Sequence, residues 1–146
     1  MTLQIDDLLA IRDQERSVLL GRIVNHLKED QRVCAAWLSG SVSRGDHDGL
    51  SDLDLYVVVT DESVSDLVEN RLANAARPAR PVLVMDNVAN APPDGAYLLV
   101  LDEGEVGPQH VDWFWQPESW ARIPDDEKIL FDRVGLPVVL GAEWRR

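Results

Sequence analysis

Residues 38–59 read LSGSVSRGDHDGLSDLDLYVVV. This stretch places a turn rich in glycine and serine ahead of four aspartates, Asp46, Asp48, Asp52 and Asp54, and it ends in an apolar segment. Two like charges about 5 Å apart repel by roughly 3 kcal/mol at an effective dielectric constant of 20. A ligand that offsets this repulsion is therefore the first functional feature to seek.

The last two aspartates stand at the start of a predicted strand, Leu53–Thr60. Side chains alternate between the two faces of a strand, so Asp52, Asp54 and Tyr56 are expected on one face. Two carboxylates on one face can hold a hard divalent cation such as Mg²⁺, which prefers oxygen ligands. Asp46 and Asp48 belong to the preceding turn, where we expect them to be exposed to water.

The turn ahead of the strand supplies groups that bind phosphate. Backbone N–H groups at Gly40 and Gly45, the hydroxyls of Ser41 and Ser43, and the guanidinium of Arg44 all suit a triphosphate. The sequence therefore predicts a cation site and a phosphate site next to each other.

Two other ligand loops fail on spacing. A P-loop requires Lys-Ser/Thr after its second glycine, but Asp46 and His47 follow Gly45. An EF-hand loop requires glycine at its sixth position, and Gly49 is the fourth residue counted from Asp46.

The pattern Gly40-Ser41, Arg44-Gly45 and Ser51-Asp52-Leu53-Asp54, followed by apolar residues, resembles the signature of the DNA-polymerase-β-like nucleotidyltransferase superfamily. Within it, the pattern is most similar to the aminoglycoside and lincosamide nucleotidyltransferases and to the minimal nucleotidyltransferases. The resemblance implies a nucleotidyltransferase fold, with ATP or another nucleoside triphosphate as donor and AMP as the group transferred. It also implies nucleotide binding by Gly40, Ser41, Ser43, Arg44 and Ser51.

The resemblance further implies a third carboxylate on a later strand, completing a site for two Mg²⁺ ions. Asp112 in HVDWFW is the candidate, because it is an acid in the middle of an apolar strand. It shares a face with His110 and Phe114, and we therefore predict Asp52, Asp54 and Asp112 as catalytic and metal-binding residues. Asp86 and Asp102 end their strands in turn-like surroundings and are interpreted as solvated loop acids.

The rest of the chain predicts an α/β (α+β) fold, a mixed sheet with helices mainly on one face. Apolar residues recur at helical spacing within residues 5–30, at Leu20, Ile23, Val24 and Leu27, after a shorter helix or turn around Ile5. A second helix is predicted from Thr60 or Asp61 until Pro78 stops it. Further strands are predicted at Val33–Leu38, Pro81–Met85, Tyr97–Leu101, His110–Gln116, Lys128–Phe131 and Pro137–Leu140.

Length and composition fit one domain over residues 1–146. No apolar run approaches the ~20 residues of a membrane span, and the first residues lack a signal-peptide pattern, so a cytoplasmic location without membrane contact is expected. The net charge of −12 disfavours nucleic acid as a partner and favours a cationic small molecule.

Three functional alternatives follow. One is transfer to a hydroxyl of a small acceptor, such as an aminoglycoside-like antibiotic. The second is a minimal nucleotidyltransferase of a toxin–antitoxin pair, which would modify a partner protein. The third is a nucleotide-binding module without turnover. The resemblance implies that antibiotic-modifying relatives carry a C-terminal helical domain, whereas this sequence ends at Arg146. Three explanations follow: a partner subunit, either helical or a second copy of the chain in a homodimer, completes the site; the sequence is a fragment; or it is the minimal form of the family.

Overall fold

The computed structural model describes residues 2–40, 51–86 and 88–144. Four described helices are α1 (Ile5–Glu29), α2 (Val64–Glu69), α3 (Arg71–Ala76) and α4 (Gly141–Trp144). Short 3₁₀ turns span Asp61–Ser63 and Val88–Asn90. The described strands are β1 (Val33–Ser39), β2 (Leu53–Val59), β3 (Pro81–Asp86), β4 (Ala96–Asp102), β5 (Gln109–Pro117), β6 (Ile123–Pro124), β7 (Lys128–Asp132) and β8 (Val138–Val139).

Six of these strands form one mixed sheet in the order β3-β4-β5-β2-β1-β7. Strands β2 and β5 run parallel, whereas the other neighbouring pairs are antiparallel. Strands β6 and β8 pair separately. The mixed α/β architecture predicted from the sequence is therefore confirmed.

The first three helices cover one face of the sheet. Leu19, Ile23 and Leu27 of α1 are buried with Leu67 of α2 and Ala75 of α3, and they belong to the same apolar cluster as Leu55, Trp113 and Trp115 of the sheet. Burial of a large apolar side chain contributes about 1.5–3 kcal/mol, so this layer fixes α1 firmly against β2 and β5. The opposite face carries the polar side chains and a second, smaller apolar cluster that includes Trp37 and Val58, with Tyr56 packed against it.

Two helix predictions were wrong in detail. The N-terminal segment is one continuous helix rather than a short helix or turn followed by another, and a capping box between Gln4 and Asp7 begins it. The segment after β2 breaks into a 3₁₀ turn and two short helices. The break falls at Asn70, whose side-chain amide donates to the carbonyl of Asp66 and competes with helix continuation.

The predicted strands agree with the structure to within about a residue at most ends. None of the helices in the described ranges is long and apolar enough to cross a membrane.

Candidate active site

The parallel pairing of β2 with β5 brings the predicted acids together. Asp54 lies directly opposite Asp112 in the register, and the two side chains share a hydrogen bond. Asp52 stands just before β2, two residues earlier and on the same face, because side chains alternate along the chain. The structure thus places all three acids at one end of two neighbouring strands.

Asp52 and Asp54 are held in surroundings that resist their ionisation. Burial, together with the hydrogen bond to Asp112 and its negative charge, raises the pKa of Asp54 to about 7. Burial also raises the pKa of Asp52, although the nearby His110 opposes this effect. Neighbouring carboxylates are a suitable donor set for a hard divalent ion. Such an ion would replace the proton that Asp54 and Asp112 share in its absence.

A histidine and a tyrosine orient the third acid. His110 Nδ1 lies 3.3 Å from Asp52 Oδ2, and its Nε2 lies 3.1 Å from Asp112 Oδ1. The Tyr97 hydroxyl on β4 donates a hydrogen bond to the same Asp112 oxygen. The ligand atoms of Asp52, His110 and Asp112 all fall within 4.8 Å of one another, so these side chains can meet at one ion.

Gly40 closes the site at the end of β1. Ser39 pairs with Asp54 across β1 and β2, so the next residue lies beside the Asp54 carboxylate. Gly40 has a φ of +76°, and a Cβ atom added there would collide with Asp54 Oδ2. Glycine is therefore required both by the left-handed backbone and by the close carboxylate.

The structure describes only part of the predicted phosphate-binding site. Ser41, Ser43 and Arg44, with Gly45, Asp46, His47 and Asp48, lie outside the described residues. Ser51 is described and half-buried, and its carbonyl accepts a hydrogen bond of 2.9 Å from Arg16 Nη1.

A comparison with models of known protein families identifies the family of this chain. The model of the family described as polymerase beta, nucleotidyltransferase, matches residues 21–104, which is more than half of the chain. The chain belongs to this nucleotidyltransferase family. No curated protein gives a significant match. The family match contains β1 and β2 with Asp52 and Asp54, whereas Asp112 lies beyond its end and is placed by the sheet register alone.

The residues that lead into β2 and β5 are held by α1. Arg16 is only 3% exposed, and it forms an ion pair with Asp13 in addition to its bond to Ser51. One turn earlier, Arg12 Nη1 donates to the Pro108 carbonyl at 3.0 Å, next to the start of β5. The helix therefore fixes the entry to both strands that carry the acids.

Sequence reasoning missed three of these residues. Arg16 stands seven residues before Ile23, on the buried face of α1. A charged residue at a position where the helical pattern predicts an apolar one could have marked Arg16 as a special residue. His110 was assigned no role, although it is predicted to share a face with Asp112. Tyr97 carried no local signal, because its contact depends on the pairing of β4 with β5.

The interpretation of Asp102 as a solvated loop acid was wrong. Its side chain lies on the core face of β4, the residue is 2% exposed, and neither carboxylate oxygen has a hydrogen-bond partner among the described residues. Burial raises its pKa to about 6. Asp86 is partly exposed as expected, but it forms an ion pair with Arg71.

A row of aromatic rings continues the face of the acids across the sheet. The Tyr56 ring stacks on Phe114 with centroids 4.4 Å apart, and on Trp37 at 5.3 Å. Tyr56 and Phe114 also line a cavity of about 280 Å³, together with Gln116 and Asn90.

Proposed function

We propose that the protein transfers a nucleoside monophosphate, AMP from ATP, to a hydroxyl group of a small-molecule acceptor. The observation that carries this proposal is the register of Asp54 against Asp112, within a chain of the nucleotidyltransferase family. This register places Asp112, which lies outside the family match, next to Asp54, which lies inside it, and both are on the same face as Asp52.

Asp52, Asp54 and Asp112 are assigned to hold divalent cations, with two Mg²⁺ ions as the proposed pair. Such ions, when bound, orient the triphosphate and neutralise charge on the attacking and leaving oxygens. The shared hydrogen bond of Asp54 and Asp112 supports this assignment, because a dication can replace that proton.

The remaining roles follow from position. Asp112 is assigned to accept the proton of the acceptor hydroxyl, while the Tyr97 hydroxyl holds its carboxylate in place. The acceptor oxygen then bonds to the α-phosphorus, the bond between the α- and β-phosphates breaks, and pyrophosphate leaves. Ser41, Ser43, Arg44 and Ser51 are assigned to the phosphates, and Gly40 leaves room beside Asp54.

The acceptor class is inferred from charge. A net charge of −12 repels polyanions and attracts cations, so a cationic hydroxyl compound is favoured over a nucleic acid. An aminoglycoside-like amino sugar has both the charge and the hydroxyl groups.

The test uses ATP labelled at the α-phosphate, Mg²⁺ and a panel of hydroxylated cations. We expect the label to move to one acceptor with an equal yield of pyrophosphate, and Asp112→Asn to abolish both. ATP labelled at the γ-phosphate should leave the acceptor unlabelled. Binding of ATP and metal without pyrophosphate release from any acceptor would instead indicate a module without turnover.

A further inference from the structure

The position of His110 bears on which metal the site prefers. It lies on β5 two residues before Asp112, on the same strand face, and its ring contacts two carboxylates, Asp52 just before β2 and Asp112 on β5. Its side chain is 29% exposed, so the ring is held at the mouth of the site rather than buried in the core.

The distances suit a shared ion. Neighbouring ligands of an octahedral dication with bonds of about 2.1 Å lie roughly 3 Å apart. His110 Nε2 and Asp112 Oδ1 are 3.1 Å apart, which matches two adjacent ligands. The carboxylate of Asp52 completes a group whose ligand atoms lie within 4.8 Å of one another.

The second ring nitrogen has the partner that a metal-bound imidazole usually has. Histidine ligands generally donate their other N–H to a carboxylate, which fixes the ring orientation. Nδ1 of His110 lies 3.3 Å from Asp52 Oδ2, which places a carboxylate beside this second nitrogen.

We propose that His110 is a nitrogen ligand of the metal site, so that one of its positions takes a first-row transition dication such as Mn²⁺ in preference to Mg²⁺. This inference rests on the proposed function and deepens it. Imidazole is a good ligand for first-row transition metals, whereas Mg²⁺ is held by oxygen donors and water. A nitrogen among carboxylates therefore shifts the preference of the site away from Mg²⁺.

The test is pulsed electron paramagnetic resonance of Mn²⁺ bound to the full chain. The wild-type protein should show ¹⁴N coupling from one imidazole, and His110→Ala and His110→Gln should both lose it while still binding Mn²⁺ through the carboxylates. The Mn²⁺ dissociation constant should rise by about tenfold or more in these variants, with a smaller change for Mg²⁺.

The matched controls are the other two histidines of the chain. His26→Ala and His47→Ala should keep both the nitrogen coupling and the wild-type Mn²⁺ affinity. Coupling that is absent from the wild type, or that survives in both His110 variants, would overturn the inference. If the wild-type protein binds Mn²⁺ without nitrogen coupling, and Asp112→Asn abolishes this binding, the inference about His110 fails but the proposed function stands. If wild-type protein binds no Mn²⁺, both proposals are overturned.

Discussion

Replacing Asp54 with asparagine should stabilise the metal-free protein and abolish binding at the proposed metal site. Below pH 3.8 the carboxyl is protonated in folded and unfolded chains alike, and it costs no stability. As the pH rises, the unfolded chain releases the proton first, because the folded pKa is about 7 against 3.8. The folded state therefore loses stability progressively up to pH 7, and Asp54→Asn avoids this loss.

The magnitude follows from the size of the shift. Three pKa units correspond to about 4 kcal/mol at 1.36 kcal/mol per unit. Asp54 is only partly buried, and screening by solvent at the open end of the site reduces this to about 2 kcal/mol at pH 8. We therefore expect Asp54→Asn to raise the free energy of unfolding by about 2 kcal/mol at pH 8, and much less at pH 4.

The assay is urea unfolding with EDTA, followed by tryptophan fluorescence at several pH values, paired with a Mn²⁺ titration. Asp102→Asn is the matched control, because Asp102 is another buried carboxyl, with a pKa of about 6, but lies on the core face of β4. It should raise stability by up to about 3 kcal/mol at pH 8 and leave Mn²⁺ binding intact. A variant at position 54 that is no more stable than wild type, or that binds Mn²⁺ normally, would refute the reasoning.

Three further predictions concern the supporting residues. Gly40→Ala should lower the free energy of unfolding by about 1–3 kcal/mol and weaken Mn²⁺ binding, since its Cβ displaces the Asp54 carboxylate; an unchanged Mn²⁺ affinity in a titration would contradict this. Arg16→Met should cost about 1.5–3 kcal/mol in urea unfolding through the lost bond to Ser51, and wild-type stability would speak against that anchor. Cys34 should resist a thiol reagent at pH 8 until the protein unfolds, because burial raises its pKa to about 11; rapid labelling of the folded chain would disprove it.

The strand-level prediction succeeded because its signals are local. Alternation fixed the faces of Asp52 and Asp54, and the apolar setting of Asp112 marked it as unusual within β5. The register that sets Asp54 opposite Asp112 then follows from the placement of two strands that are far apart in the sequence. Their roles as metal ligands stay a prediction.

The parts that were missed depend on long-range contacts. The burial of Asp102 arises because β4 packs beneath α1, and a carboxyl at a strand end gives no local sign of this. Tyr97 reaches Asp112 only through the pairing of β4 with β5. The break at Asn70 is a side-chain competition that periodicity does not reveal.

The most direct test of the central claim is a crystal structure with Mn²⁺ and a non-cleavable ATP analogue. The anomalous signal of Mn²⁺ locates the metal independently of the protein atoms. We predict a peak at about 2.2 Å from carboxylate oxygens of Asp52, Asp54 and Asp112, with the triphosphate beside Gly40. A nucleotide bound elsewhere, or no metal at these three carboxylates in its presence, would contradict the account.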